Sequence, residues 1–488
     1  MLSLVSPYCG FCWCTNTQKA GAGYAIDQPK AIMAGMNSQQ TTRHLTMLVL
    51  FSILATVMFL PSSGTADLIV WLEWGRNVDQ HGIIQGYAIN AHEHPPLFSV
   101  LLWVVYRISH LTGLTPFICL KSSFMFFLCL TTTCLYFFSG KNILFTLFFH
   151  AIMAYVSLCL SYMDIYFSFF LLLSIFFLHR EKIPAFIFCF TVSCLLKYPP
   201  LIVAPFFAFY LLKNKNKESG GFSWPVLYVT LKQLIPTSIL LAFIFLLFSR
   251  EPFLALTRAF EHQALSAQAL NLNWIFTRIL LLSGHATPFQ ILAEHEIEVI
   301  NPAPLWSLWT SRVLFAFFYI SSLCCFIVKK RDLESLLLFA ITGHLAYFIF
   351  SVGVHENHLF LSVVLGMALF CVNNKNLPLV LVVALISTMN IFAFYGTNGF
   401  GPLIFSHYID LLFNQCQAAV AELPGSCYTD FSALRHSQPF SNEEAIFNDS
   451  YPFDIRLALA IFNVAYFLVL WWHNIKSVTY SRFNSSGS

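Results

Sequence analysis

The sequence predicts an all-α, polytopic bundle of about twelve transmembrane helices, and three observations predict it. Hydrophobic residues make up 57% of the 488 and charged residues only 10%, with a positive mean hydropathy; soluble domains carry about 25% charged residues. Apolar runs able to cross a hydrocarbon core of about 30 Å recur along the chain. The connections between them divide into short basic ones and long, weakly basic ones, the charge asymmetry of a multi-pass protein.

Residues 1–44 are polar and mixed, without the layout of a cleaved signal peptide, and read as a cytosolic tail without regular structure. The run 45–61 reads as a signal anchor and first span. Further runs lie at 116–138, 143–161, 165–178, 183–196, 199–212, 226–249, 304–328, 336–353, 359–372, 377–395 and 455–473. One more, 97–109, follows His94-Pro95-Pro96 and decides the topology. Kept on the outer surface as a juxtamembrane helix, it puts Lys141, Arg180, Lys182, Lys213, Lys215, Lys217, Lys329, Lys330, Arg331, Lys375, Lys476 and Arg482 on the inner side. The outer side then holds Arg76, Arg107, Lys197, Arg250, Arg258, Arg278 and Arg435, spread over a far greater length. Counting 97–109 as a span would reverse the basic loops and is rejected. The core therefore runs over 45–395, with outer loops at 62–115 and 250–303. An outer-face loop at 396–454 follows, then a last span and cytosolic tail at 455–488. Function is expected on the outer face, where the long connections lie.

Charge is nearly balanced, 26 Lys plus Arg against 23 Asp plus Glu, so no basic stripe marks a nucleic-acid partner. Most of the fourteen Cys sit in apolar runs as small buried hydrophobes. Cys9, Cys12 and Cys14 cluster near the start, with no His or acid close by to make a metal site.

Ionisable groups at membrane depth are costly and rarely idle, so four outer-face clusters carry the functional reading. The first opens at Asp67, amid apolar neighbours, where desolvation raises a carboxylate's pKa and poises it as a base. An N-cap for an amphipathic helix bearing Trp71 and Trp74 reads the same residue equally well. It ends at His92-Glu93-His94-Pro95-Pro96, whose side chains keep a divalent metal open. A stiff turn with one functional histidine, His94, is the stronger reading, since adjacent residues do not all face one ion.

The second cluster is Tyr162-Met163-Asp164, where Asp164 either caps the next helix or takes part in chemistry. The third is Lys197-Tyr198-Pro199-Pro200, whose ammonium either snorkels or meets a phosphate. The fourth, His355-Glu356-Asn357-His358, is the most informative. Two imidazoles, an acid and an amide between two apolar spans need partners, and a phosphorylated or hydroxyl-rich ligand supplies them. Residues 252–280 read as an amphipathic helix lying on the bilayer; its Arg258 is also suited to phosphate.

In this order, an Asp just past the first span, a later Pro-Pro-Leu, a polar outer turn, Lys-Tyr-Pro-Pro and His-Glu-Asn-His resemble the GT-C superfamily of polytopic glycosyltransferases over about residues 45–395. Within it the chain is similar to enzymes that use polyprenyl-phosphate sugars, including ER glucosyltransferases extending lipid-linked oligosaccharide and bacterial relatives. The resemblance implies a GT-C-like fold with outer-face juxtamembrane helices. It implies an inverting transfer of a hexose from a polyprenyl-phosphate donor to a lipid-linked glycan, glycolipid or protein acceptor, with mannose and glucose the candidate sugars. Asp67 falls on the family's general base and Asp164 on its polar outer turn, as an orienting or assisting group. His94, Lys197, Arg258, His355, Glu356 and His358 are the expected substrate contacts, with phosphate gripped by the basic groups. Asn357 stands where the family's motif has Lys or Arg, so Lys197 or an Arg of 250–303 would have to supply that cation. No cofactor is required by this scheme, and a divalent metal stays open at 92–94. Cys416 and Cys427, in a loop without a family match, could pair in an oxidising compartment.

The competing reading from another class is a lipid or solute transporter or flippase without covalent chemistry, which would spread charges through the bundle midplane. Another membrane transferase, such as an acyltransferase or glycan ligase, and a structural subunit with an inert Asp67 are the remaining alternatives. The bacterial inner membrane is favoured over the ER, because no retention or eukaryotic targeting signal stands out.

Overall fold

The computed structural model describes residues 38–60, 62, 64–65, 67–91, 93–219, 224–260, 265–283, 303–329, 332–395 and 455–485. The chain is a multi-pass helical membrane protein. A backbone N–H or C=O left unpaired in hydrocarbon costs several kcal/mol, about the stability of a small domain, so apolar runs close their hydrogen bonds internally. Among the described residues there is no strand, only isolated bridges from Ala267 and Gln268 to His355.

The helices run in order as α1 (Ser38–Phe59), α2 (Asp67–His81), α3 (Ile83–Asn90), α4 (Pro96–Thr112), α5 (Pro116–Phe138), α6 (Ile143–Ala154), α7 (Asp164–His179), α8 (Ile183–Leu196) and α9 (Ala204–Ser219). There follow α10 (Trp224–Phe248), α11 (Glu251–Phe260), α12 (Leu272–Leu282), α13 (Leu305–Val328), α14 (Leu333–Phe350), α15 (Phe360–Val372), α16 (Leu377–Tyr395) and α17 (Ile455–Ser485). Six are long and apolar enough to cross a membrane: α1, α5, α13, α14, α16 and α17. The pair α10 and α11 makes a seventh if taken as one span bent by 95°. The other apolar runs form helices of fewer than 18 residues.

The long helices differ in what they face. In α14 the apolar stretch is 78% buried against 17% in α1 and α17, so α14 is central and the other two are rim helices. On α1, Met47, Leu50 and Ile53 are exposed, as are Trp309, Val313 and Phe317 on α13, where lipid is the solvent. The core joins α5, α7, α14 and α15 through fully buried Leu128, Phe167, Leu172, Phe339 and Leu365.

The run 97–109 forms α4, which packs on α2, α5 and α8. Pro96 begins it, where a missing N–H costs nothing, and Gly113 ends it in the left-handed region at φ 71. Its buried side carries Phe98, Leu102, Val105 and Tyr106. The Tyr106 hydroxyl donates to Leu72 O at 2.6 Å, and Asn77 donates to Asn90 Oδ1 at 2.7 Å. These bonds fix α2, α3 and α4 as one helical cap.

The segment 252–280 departs from the single amphipathic helix expected. It does not continue as one helix: residues 265–271 are non-helical, with Gln268 in the left-handed region at φ 63, before α12 begins. Ser266, Ala269, Leu270 and Asn271 are fully buried, so this stretch is core rather than membrane surface. Side chains replace the missing helical hydrogen bonds. Asn390 Oδ1 accepts from Leu270 N at 2.7 Å, Asn463 donates to Leu270 O at 2.8 Å, and Asn271 donates to Phe348 O at 2.9 Å. Local periodicity could not reveal this, because the partners come from α14, α16 and α17.

A lysine fixes the start of the segment that follows α1. Lys121, in the second turn of α5, is fully buried and donates to Ser62 O and Leu158 O at 2.6 Å each and to Phe59 O at 3.3 Å. It thereby ties the end of α1 to the π-helical turn Tyr155–Cys159 that ends α6. Ser62 Oγ donates to Cys159 O at 2.7 Å and Thr65 N to Leu160 O at 3.0 Å. Lys121→Met takes the lysine's hydrogen bond from the Ser62 and Leu158 carbonyls, while Phe59 O keeps the one from Ser62 N at 3.1 Å; the cost is about 1–3 kcal/mol for each buried acceptor left unpaired, less the relief of a desolvated ammonium. We expect a net loss of about 2 kcal/mol or more, read as a lower thermal unfolding midpoint in detergent micelles. Gly64 completes the clamp at φ +73, with any Cβ 2.4 Å from Ser161 Oγ. Gly64→Ala is expected to cost about 1–3 kcal/mol by the same measurement, since a left-handed non-glycine residue alone costs about 1–2.

Candidate functional site

The clamp between 62–65 and 158–161 brings the first turn of α2 beside the first turn of α7. Asp67 and Asp164 open these two helices, where carboxylates are favoured by the N-terminal partial charge. Asp164 does more than cap its helix. Asp164 is 1% exposed, and its carboxylate accepts from Lys197 Nζ at 2.9 and 3.0 Å and from Asn357 Nδ2 at 3.1 Å. Lys197, just past α8, is therefore buried in an ion pair rather than snorkelling to the surface.

Asn357 brings the turn between α14 and α15 into the same cluster. Beside it, Glu356 is 3% exposed; its Oε1 accepts from the Tyr162 hydroxyl and lies 3.3 Å from the hydroxyl of Tyr395. Tyr395 also donates to Gln268 Oε1 at 2.8 Å, and Asn390 donates to Glu356 O at 2.8 Å. Ala267 N donates to Val354 O at 3.1 Å, so the buried chain after α11 braces this turn from one side and α16 braces it from another. Glu356 Oε2 is buried and, among the described residues, has no hydrogen-bond partner; the same holds for Trp71 Nε1, one helical turn beyond Asp67.

Asp67 feels Lys197, Asp164 and Glu93 electrostatically, and Glu356, Tyr162 and Tyr395 feel Asp67 in turn. Burial pushes the Asp67 carboxyl up to about 6; the Lys197 ammonium opposes this, and the Asp164 and Glu93 carboxylates add to it. Burial likewise pushes Glu356 up to about 7, against the hydrogen bond from Tyr162. A carboxyl half ionised near neutrality is suited to take up and release a proton at working pH.

Aromatic rings wall the site on the α2 and α4 side. The His94 ring stands edge-on to Trp71 at 5.2 Å and Trp74 at 5.4 Å, and 5.6 Å from Phe98, while Tyr87 donates to His94 O at 2.9 Å. Glu93 acts electrostatically on both Asp67 and Tyr347. Tyr347 lies 3.0 Å from His358 Nδ1, and the His355 and His358 rings are 5.4 Å apart. This chain of neighbours links the 93–94 turn to the 355–358 turn.

The structure thus brings Asp67, Asp164, Lys197 and Glu356 into one electrostatic cluster, with His94, His355 and His358 on segments that reach it. Arg258 belongs to a neighbouring group: it pairs with Glu251 at 3.9 Å on α11, and both act on Tyr87. Tyr395, Gln268, Asn390 and Lys121 escaped sequence reasoning. A lone charge inside the span 116–138 and a lone amide inside 377–395 were the available signals. Among the described residues no three suitable side chains converge to hold a metal ion. His92, Cys9, Cys12, Cys14, Cys416, Cys427 and the loop 396–454 lie outside the described residues. No protein-family model matches the chain, and no curated protein matches it.

Proposed function

We propose that the protein is a GT-C-like membrane glycosyltransferase with about twelve spans, moving a hexose from a polyprenyl-phosphate donor to an acceptor hydroxyl at its outer face. The observation that carries this reading is the convergence of Asp67, with its raised pKa, on a buried Asp164–Lys197–Asn357 cluster beside an aromatic wall. The proposed count takes the six long helices, the bent pair as a seventh, and five shorter apolar helices as crossings, with α4 kept at the surface as the charge pattern favours.

In the mechanism, Asp67 takes the proton of the acceptor hydroxyl as it attacks the anomeric carbon on the face opposite the phosphate. The bond from the anomeric carbon to the phosphate oxygen breaks, and polyprenyl phosphate leaves with the electron pair. Lys197 is neutralised by Asp164, so His355 and His358 are the basic groups that meet the phosphate. Asp164 holds Lys197 and Asn357 in place. The ring of Trp71 or Trp74 offers an apolar face to the sugar.

A base must be ionised, so the rate is expected to rise with pH through about 6 and to fall away below it. Stability moves in the opposite sense. The folded state binds the Asp67 proton more tightly than the unfolded chain, so ionising it as pH rises from its ordinary range through about 6 costs stability. Rate and thermal midpoint across this window check the two signs.

The decisive experiment offers purified protein in lipid nanodiscs a panel of polyprenyl-phosphate hexoses and a membrane extract as acceptor. Transfer of radiolabel from one donor establishes the reaction class. Transfer from none, together with movement of lipid or solute across proteoliposomes, would replace it with a transporter.

A further inference from the structure

The turn between α14 and α15 holds a carboxyl group the mechanism above does not use. Glu356 is buried at the inner wall of the site, and its two oxygens are treated differently. Oε1 accepts from Tyr162 and has the Tyr395 hydroxyl 3.3 Å away, whereas Oε2 is buried with no partner among the described residues. The Asn390 amide, bonded to the backbone carbonyl, fixes the turn and so the direction of the side chain. A buried oxygen left unsatisfied costs about as much as a lost hydrogen bond, so Oε2 is placed for something that arrives with the ligand.

Whether that partner is a donor or an acceptor depends on the charge of Glu356. The groups facing it are Tyr162 from the α6–α7 turn, Tyr395 from α16 and Asp67 from α2. Asp164 and Lys197, from α7 and α8, form a closed pair reached through Asn357, and His355 and His358 share its own turn. Burial has the largest effect and pushes the group up to about 7; the hydrogen bonds from Tyr162 and Tyr395 oppose it, and the Asp67 carboxylate adds to it by disfavouring a second anion.

We infer that Glu356 is the neutral acid of this site, anchored on Oε1 by tyrosine and donating a hydrogen bond from Oε2 to a phosphoryl oxygen of the bound polyprenyl phosphate. The assignment of the ligand rests on the transferase reading; the assignment of the proton does not. A neutral donor meets a phosphate oxygen without the repulsion a carboxylate would add. It relieves the buried Oε2 and leaves Asp67 the ionised member of the two carboxyls, so that acid and base roles are divided by environment. Glu356 is a binding residue in this account, and it exchanges no proton during transfer.

The test uses full-length protein in nanodiscs as wild type, Glu356→Gln, Glu356→Ala and Asp67→Asn, each checked for an unchanged elution profile and helical circular-dichroism spectrum. Infrared difference spectra across pH report the carbonyl stretch of a protonated carboxyl. We expect a band that disappears as pH rises through about 7, is absent in Glu356→Gln and persists in Asp67→Asn. Binding of a short-chain polyprenyl phosphate, followed by tryptophan fluorescence, should weaken about tenfold in wild type once Glu356 ionises, the loss of about 1.4 kcal/mol. Glu356→Gln, which keeps a donor in the same place, should hold its affinity over that range, and Glu356→Ala should bind weakly throughout. Titration of the phosphate, His355 and His358 is common to all variants, so the difference between wild type and Gln isolates Glu356. Binding lost in Gln as in Ala, with no protonated band, would make the group an ionised acceptor and overturn the proposal. So would equal pH profiles in wild type and Gln, or no binding of the phosphate at any pH. Intact infrared and binding signatures without sugar transfer from any donor would instead remove the transferase reading and leave the neutral acid standing.

Discussion

Asp67→Asn is expected to bind donor as wild type does and to transfer sugar about 10²- to 10⁴-fold more slowly, the usual worth of a general base. The amide keeps the size and hydrogen-bonding shape of the side chain at the first turn of α2 and cannot take the acceptor's proton. The pH dependence is part of the result. Wild type should lose rate below about 6, where the Asp67 carboxyl becomes protonated, and the residual rate of the variant should be flat across that window. Single-turnover transfer with bound, labelled donor separates the two effects, because binding and chemistry are then read independently. Equal rates in the two proteins would remove Asp67 from the mechanism.

Lys197→Met is expected to damage the fold more than any other single change in the site. Its ammonium is 2.9 Å from an Asp164 carboxylate that is 1% exposed, and removing it leaves a buried anion with hydrogen bonds from Asn357 and the backbone but no cation beside it from Lys197. Breaking such a pair costs about 3–5 kcal/mol, whereas exposed surface pairs are worth about 0–1. Asp79, bridged to Arg107 at 3.6 Å and to His110 at 2.8 Å, supplies the contrast, since both of its partners are largely exposed. Asp79→Asn should shift the thermal midpoint little. The double variant Asp164→Leu, Lys197→Met should recover most of the stability, because apolar replacement of both partners is often neutral or better. It should not recover transfer if Asp164 and Lys197 position the site. Recovery of both would make the pair purely structural.

These outcomes bear on different links between sequence and function. Lys121, Gly64 and Asn390 act on where the segments that build the site sit, Lys197 on whether the cluster holds together, and Asp67 on the proposed chemistry. Variants of the first group should move stability and rate together. Asp67→Asn should cut the rate without lowering stability, since it removes a charge whose ionisation costs the folded state.

The class of molecule, and the residues that became candidates for its site, were legible in the order of amino acids. Apolar runs at helical length, separated by basic and non-basic connections, specify a multi-pass helical protein because lipid leaves the backbone no other partner. The unusual positions of Asp67, Asp164, Lys197, His355 and Glu356 were visible because polar groups beside apolar runs stand out against their neighbours. Tertiary structure alone decided that Asp164 meets Lys197 and Asn357, that Tyr162 and Tyr395 hold Glu356, and that 265–271 is buried chain rather than surface helix. Each depends on single side chains reaching between helices remote in sequence, and a helix's periodicity specifies which face is apolar without specifying what that face meets. Lys121 shows the same division: its charge in an apolar run is plain in the sequence, but the three carbonyls that make it tolerable are assembled only when α1, α5 and α6 come together.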